Sequence, residues 1–262
     1  ARTLRDIALE VQGPLDAAAV KAQLHVPDGT RRWRAQGQGQ AMLTELLRGA
    51  AADPSWRGRI EQLQLELEDP ATGRWQADNL APLTLQGRAA QWQIEPGRLR
   101  LQGPARAGAE PVELAWSQLN GPLSGQGGSQ WASSGTLSGL PLAWLAVLAG
   151  PTLTRSPWSG DLVFDGRWDL RLGRSLALDA RLSRRSGDLQ LQGELAQGQA
   201  TTLAAGVKTA ELQLSAQGQE LKADIRWDSE RAGRAEGQLR TRLEREGEQW
   251  HWPETATLQG QL

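Results

Sequence analysis

At 262 residues, with 29 basic against 30 acidic side chains and a net charge of -1, the chain has no global field favouring nucleic acid or an anionic membrane surface. The absence of cysteine excludes disulfides and Cys-based zinc sites, and is compatible with an oxidising compartment. Twelve Trp but one Phe and no Tyr leave Leu, Ala and Val as the main apolar mass, so bulky core fillers are few. The length suits two ordinary domains or one large all-β domain.

Ala1 to Glu10 alternates polar and apolar residues, unlike the basic start and apolar run of a secretory leader, so no signal peptide is expected there. Ile7, Leu9 and Val11 open a strand-like pattern, and Val20, Ala22, Leu24 and Val26 alternate with Lys21, Gln23 and His25 as in a half-buried strand. Pro27-Asp28-Gly29 punctuates it. Gln40 to Ala51 reads as a helix with Met42, Leu43, Leu46 and Leu47 on one face, stopped by Asp53-Pro54. Alternation returns with Leu63, Leu65 and Leu67 against Gln64, Glu66 and Glu68, and then in the shorter pieces Leu83/Leu85, Trp92/Ile94 and Leu99/Leu101. Asp69 to Gly73 and Pro96-Gly97 read as turns, consistent with hairpins whose strands are antiparallel neighbours.

A second helix is expected over residues 140–149, with Pro141 suited to a first turn and Gly150 to a C-terminal cap. This run is about half of the roughly 20 residues needed to span a bilayer. A boundary near 151 divides the chain into a 1–150 segment, holding helices near 40–51 and 140–149, and a 151–262 segment of the same style. The latter alternates at Trp168/Leu170/Leu172, at Leu176, Leu178, Ala180 and Leu182, at Ala210, Leu212, Leu214 and Ala216, and at Leu221, Ala223, Ile225 and Trp227. Ser186-Gly187-Asp188 and Glu246-Gly247-Glu248 are its turn signals, and the polar faces of these strands are expected to be well solvated. Both ends lie inside strand-like pattern, so the chain reads as a segment of a larger parent protein.

A dozen or more one-sided strands have only two short helices to cover them, and each Å² of apolar face left in water costs about 25 cal/mol. The expected solution is an all-β fold: a long, curved antiparallel sheet bent into a groove or half-barrel with two short helices. A continuous apolar trough suits an acyl chain, because each methylene withdrawn from water contributes about 0.8 kcal/mol. The groove-lining candidates are Leu63, Leu65, Leu67, Leu176, Leu178, Leu182, Leu212, Leu214, Leu221 and Ile225.

The runs Gly166-Arg-Trp-Asp-Leu-Arg-Leu, Lys222-Ala-Asp-Ile-Arg-Trp-Asp-Ser and Gly233-Arg-Ala-Glu-Gly-Gln-Leu resemble the repetitive strands of the TamB and wider AsmA-like family. The apolar segment beginning Gly139-Leu-Pro-Leu between strand blocks is similar too. The resemblance implies a taco-shaped β-groove in the periplasm, with the parent protein anchored in the inner membrane. It further implies passage of phospholipid between inner and outer membranes, or support of outer-membrane protein assembly with a TamA-like partner, as in a translocation and assembly module.

Competing chemistries find weaker support. His25 lies on a polar strand face and His251 between two Trp, neither near a nucleophile elbow. Glu66 and Glu68 share a face roughly 7 Å apart, near the separation of an inverting glycosidase, but every polar face in the chain looks similar. Gly37-Gln38-Gly39 and Gly125 to Gly128 lack a phosphate-loop pattern and read as turns or bends. Arg31, Arg32 and Arg34 around Trp33 alternate across faces instead of forming a phosphate cradle. The Trp residues offer the main alternative, a carbohydrate-binding or structural β-module, although Trp92, Trp168 and Trp227 share faces with Leu or Ile. No catalytic residue, metal ligand or cofactor site is expected.

Overall fold

A computed structural model describes residues 5–42, 55–88, 91–104, 111–122, 130–148, 159–173, 175–194, 200–246, 249–251 and 257–261. These residues are nearly all strand, and most strands belong to a large antiparallel sheet. The chain divides into two compact units, Ala1–Ala105 with Ala109–Gly135, and a second that takes Thr136–Leu262.

The first unit contains β1 (Arg5–Gln12), β2 (Ala18–Asp28), β3 (Arg31–Met42), β4 (Ser55–Asp69), β5 (Gly73–Asn79), β6 (Leu83–Arg88), β7 (Gln91–Ile94), β8 (Gly97–Gln102), β9 (Val112–Pro122) and the start of β10 (Trp131–Pro141). β1 to β5 form a meander in chain order. β4 is long enough to take two partners, pairing β5 through Gln64–Asp69 and β6 through Ser55–Ile60. β9 likewise pairs β8 through Val112–Trp116 and β7 through Leu119–Pro122. The expected hairpin across Pro96-Gly97 is therefore not formed, because β7 and β8 lie end to end along β9 instead of side by side. Trp116 and Leu83 are buried where these pieces meet, at 7% and 4% exposure, and Trp116 Nε1 donates to Glu95 O at 2.9 Å.

A bulge at Glu61 changes how β4 must be read. Gly37 opposes Leu63 but Gly39 opposes Ile60, so the extra residue puts Ile60 on the same face as Leu63, Leu65 and Leu67 despite the odd spacing. It also presses the β4 backbone toward β3: a Cβ built on Gly39 would lie 1.9 Å from Arg59 O. Gly37-Gln38-Gly39 is thus strand interior, not the turn or bend that its composition suggests.

Several Trp rings in this unit lie over cross-strand glycines. Trp56 and Trp92 flank Gly87 in register, Trp116 opposes Gly97, and Trp92 opposes Gly121. A Cβ on Gly87 would sit 2.0 Å from Trp56 Nε1, and one on Gly121 would sit 2.7 Å from the Trp131 ring. Trp92 and Trp131 meet edge to face with centroids 5.5 Å apart. Gly87→Ala should displace the Trp56 ring and cost about 1–3 kcal/mol, the usual range for overpacking. The denaturation midpoint of the variant measures it, and an unchanged midpoint contradicts this packing.

The second unit contains the rest of β10, a helix α1 (Leu142–Leu148), β11 (Ser159–Gly160), β12 (Val163–Leu172), β13 (Leu176–Ser186), β14 (Leu189–Glu194), β15 (Ala200–Ala204), β16 (Val207–Gly218), β17 (Glu220–Ser229), β18 (Arg234–Arg242), β19 (Glu244–Glu246), β20 (Gln249–His251) and β21 (Thr257–Gln261). Its main sheet runs β12-β13-β16-β17-β18-β21, while β11-β14-β15 and β19-β20 form separate small sheets. Ser186-Gly187-Asp188 is again a turn without a hairpin, since β14 leaves β13 to pair β11 and β15.

The expected pair of helices is not present as such. Helix α1 falls within the second stretch, starting just after Pro141, with Trp144 only 3% exposed and Leu142 N bonded to Leu162 O at 2.8 Å. Of the first stretch, Gln40–Met42 are the end of β3 and residues 43–51 lie outside the described residues. Over Gln40–Met42 strand wins because Gly37, Gly39 and Ala41 continue the period-two pattern opposite β4, as far as Met42 opposite Arg57.

Candidate functional site

Cross-strand register assembles the apolar positions of the second unit into rows. Leu170, Leu178, Ala216 and Leu221 follow one another across four strands; Trp168, Ala180, Leu214, Ala223 and Leu239 form the next row, and Gly166, Leu182, Leu212, Ile225 and Gly237 the next. In the middle row large side chains alternate with Ala, whereas in the flanking rows Leu170 meets Leu178, and Leu182, Leu212 and Ile225 follow one another directly. Such cross-strand apolar pairs are worth about a few tenths to 1 kcal/mol each.

The first unit does the same. Ile7, Leu24, Ala35, Leu65, Ala77, Leu101 and Val112 form one row; Leu9, Ala22, Gly37 and Leu63 lie on one side of it and Val26, Trp33, Leu67 and Trp75 on the other.

Burial along these rows is uneven. Leu176 and Leu221 are buried at 8% and 7% exposure, in a cluster with Ala216 and Leu243. Leu63, Leu65, Leu67, Leu178, Leu182, Leu212 and Leu214 are all half-buried. Ile225 is 46% exposed, beside Gly237, which offers no side chain on that flank. A second sheet interdigitating across these rows would bury Leu positions of this kind fully; here most stay partly open.

The polar face is less wet than alternation alone implies. Glu66 and Glu211 retain only 14% and 15% side-chain exposure. Each is held by an arginine: Arg74 donates to Glu66 at 2.6 Å and Arg181 to Glu211 at 2.9 Å. The hydrogen bond from Arg74 holds the Glu66 carboxyl below its ordinary range; partial burial opposes this, and Gln76, with the charges of Arg74 and Arg34, adds to it. A carboxyl kept as an anion is the opposite of what a general acid requires. Glu68 is paired with Arg34 at 3.5 Å, so neither carboxylate has the free, mismatched environment of a glycosidase pair.

The other candidates are also engaged. His25 Nε2 accepts from Arg34 Nε at 3.3 Å. His251 lies in β20, opposite Glu244 in register. Arg31 pairs with the buried Asp69 at 2.9 Å. Among the described residues, Trp75 donates to Thr72, Trp92 to Pro122 O, Trp116 to Glu95 O and Trp227 to Ser229. Among the described residues Trp33 and Trp131 are exposed, at 43% and 45%. Gly125 to Gly128 lie outside the described residues. Among the described residues no group of His, Cys, Asp or Glu is placed to hold a metal ion, and no helix is long and apolar enough to cross a membrane.

One organising residue has no periodic signal and reads only as a turn former. The carboxylate of Asp188 accepts from three backbone N–H groups: Leu189 (2.8 Å), Gly206 (2.9 Å) and Val207 (3.0 Å). Its own N–H donates to Asp161 Oδ1 at 2.8 Å. These bonds lower its pKa, the one from Val207 N most, against an opposing effect of burial. Ala205, Val207, Leu189 and Leu162, all in or beside the same turns, are buried. Comparison with family models, curated proteins and solved structures finds no match.

Proposed function

We propose that the chain is a non-catalytic segment whose apolar face carries the acyl chains of phospholipid. The observation behind this reading is the extended set of hydrogen-bonded Leu and Ala rows left half-buried on one side of the sheet. An acyl chain needs a long, dry strip with no fixed polar partner. Rows such as Ala180, Leu214, Ala223 and Leu239 supply one, and each methylene laid on such a strip contributes up to about 0.8 kcal/mol. In this reading the sheet curves into a groove, its ten lining positions exclude water, and their chemistry is otherwise passive. The strand likeness to TamB and AsmA-like proteins supports reading the segment as a periplasmic part of an inner-membrane-anchored parent, passing lipid toward the outer membrane or assisting assembly with a TamA-like partner. The carbohydrate alternative gains little, because four indole N–H groups that would bind sugar hydroxyls already donate inside the fold.

Positions 212 and 213 give a clean test because both are half-buried yet lie on opposite faces. A photo-crosslinking residue at 212 should capture phospholipid during expression, and one at 213 should not, as read by mass spectrometry of the purified adduct. Equal labelling at both positions, or none at either, refutes the proposal.

A further inference from the structure

We infer that a row of indoles at one end of the first unit's apolar face marks where a bound phospholipid places its head group, with its acyl chains running inward along the strands. This orientation rests on the lipid-carrying role proposed above. Trp56, Gly87, Trp92 and Gly121 stand opposite one another across β4, β6, β7 and β9, and the Trp131 ring of β10 lies over Gly121. Because glycine alternates with indole, the Trp56 and Trp131 rings rest on backbone, and Trp131 stays 45% exposed although Trp92 meets it edge to face. Outward of the row, Gln91 and Gln130 are exposed. Inward, the same face continues as Gly58, Leu85, Ile94 and Leu119, and then as Ile60 and Leu83.

An indole has a large apolar body and a single N–H donor, so it is best placed where one side is dry and the other wet, as at the two interfaces of a bilayer. The row occupies such a boundary, between exposed glutamines and an apolar face. A lipid meets it in the same sense, with its polar head outward and its chains on the Leu and Ile rows. At the opposite end of the strands Trp33 and Trp75 share a row with Val26 and Leu67, but there the Trp75 N–H is taken by Thr72 and the strands close in the β2–β3 and β4–β5 turns. Successive rows on one face are about 6.7 Å apart, and one leaflet of a bilayer gives an acyl chain a depth of about 15 Å. A chain that starts at the Trp row therefore passes Leu85 and Ile94 and ends beside Ile60.

Two photoreactive phospholipids test the orientation, one with a diazirine on its head group and one with it at the end of an acyl chain, each carried in vesicles of phosphatidylethanolamine and phosphatidylglycerol. After irradiation with the full chain, peptide mapping by mass spectrometry should place head-group adducts on Trp131 and its neighbours and chain-end adducts on β4 around Ile60. Trp131→Leu, at an exposed position, should keep the circular dichroism spectrum and the chain-end adducts but lose the head-group adducts on the neighbouring residues. Trp33→Leu, at the exposed indole of the opposite end (43%), should leave both sets in place. Head-group adducts at the deeper rows, one labelling pattern for both lipids, equal effects of the two substitutions, or no adduct in the first unit overturns the orientation. If position 212 still captures lipid in any of those cases, lipid carriage stands and the orientation alone fails. No adduct from either lipid anywhere, with none at position 212, overturns both.

Discussion

Leu221→Arg should unfold the second unit, whereas Leu214→Arg should leave it folded and abolish lipid capture. The two residues are near neighbours on one face, but Leu221 is 7% exposed within the cluster of Leu176, Ala216 and Leu243, while Leu214 is half-buried between Ala180 and Ala223. A guanidinium forced into the cluster loses its hydration without a partner, at a cost of several kcal/mol that exceeds what a unit of this size can spare. At position 214 the small flanking side chains leave room for the Arg stem to lie along the sheet with its head in water. Circular dichroism and mass-spectrometric lipid detection on both variants check this. A folded Leu221→Arg protein removes the buried cluster from the account; a folded Leu214→Arg protein that still binds lipid normally removes the groove.

The second large effect is expected at Asp188. Asp188→Ala strands three backbone donors at once, and each orphaned group costs about 1–3 kcal/mol where water cannot replace the lost acceptor. Asp188→Asn should be milder, since one side-chain oxygen can still accept the bonds now made to Oδ1 by Leu189 and Val207. The pH dependence follows from the lowered folded-state pKa. A carboxyl depressed in the folded state contributes stability that is fully present above its unfolded pKa and is lost as pH falls through the folded value. Wild-type stability should thus decline in the acidic range below the ordinary aspartate value. In Asp188→Asn that part of the decline should be absent. Urea midpoints across pH for both proteins measure the difference; parallel curves would show that Asp188 contributes nothing to it.

Much of the strand content was legible because side chains on a strand alternate faces, and Leu63, Leu65, Leu67 or Leu176, Leu178, Leu182 state that alternation openly. Which strands pair was not legible. Pro96-Gly97 and Ser186-Gly187-Asp188 show where a strand stops, yet nothing local says whether the next strand returns along the last one or leaves to pair elsewhere, as β8 and β14 do. The bulge at Glu61 was hidden for a related reason: one extra residue shifts every later position by a face, and Ile60 then looks out of phase with Leu63. The low exposure of Glu66 and Glu211 was missed because alternation describes the direction of a side chain and is silent on the arginines that pair with it. Ile225 shows the converse, an apolar residue of the right phase left bare by the glycine beside it.

The main ladder skips strands in a regular way. Between β5 and β8 the chain makes the β6–β7 pair, between β13 and β16 the β14–β15 pair, and between β18 and β21 the β19–β20 pair. Each detour contains an antiparallel pair of consecutive strands, but β6 also pairs β4, β7 also pairs β9 and β14 also pairs β11; among the described residues only β19–β20 closes on itself alone. For the ladder, such a detour is a loop with internal structure, and the entropy of closing a loop rises by only about 0.6 kcal/mol for each doubling of its length. The β19–β20 detour, whose strands belong to no other sheet, is accordingly the place where residues can be removed or added while the pairing of β18 with β21 is kept.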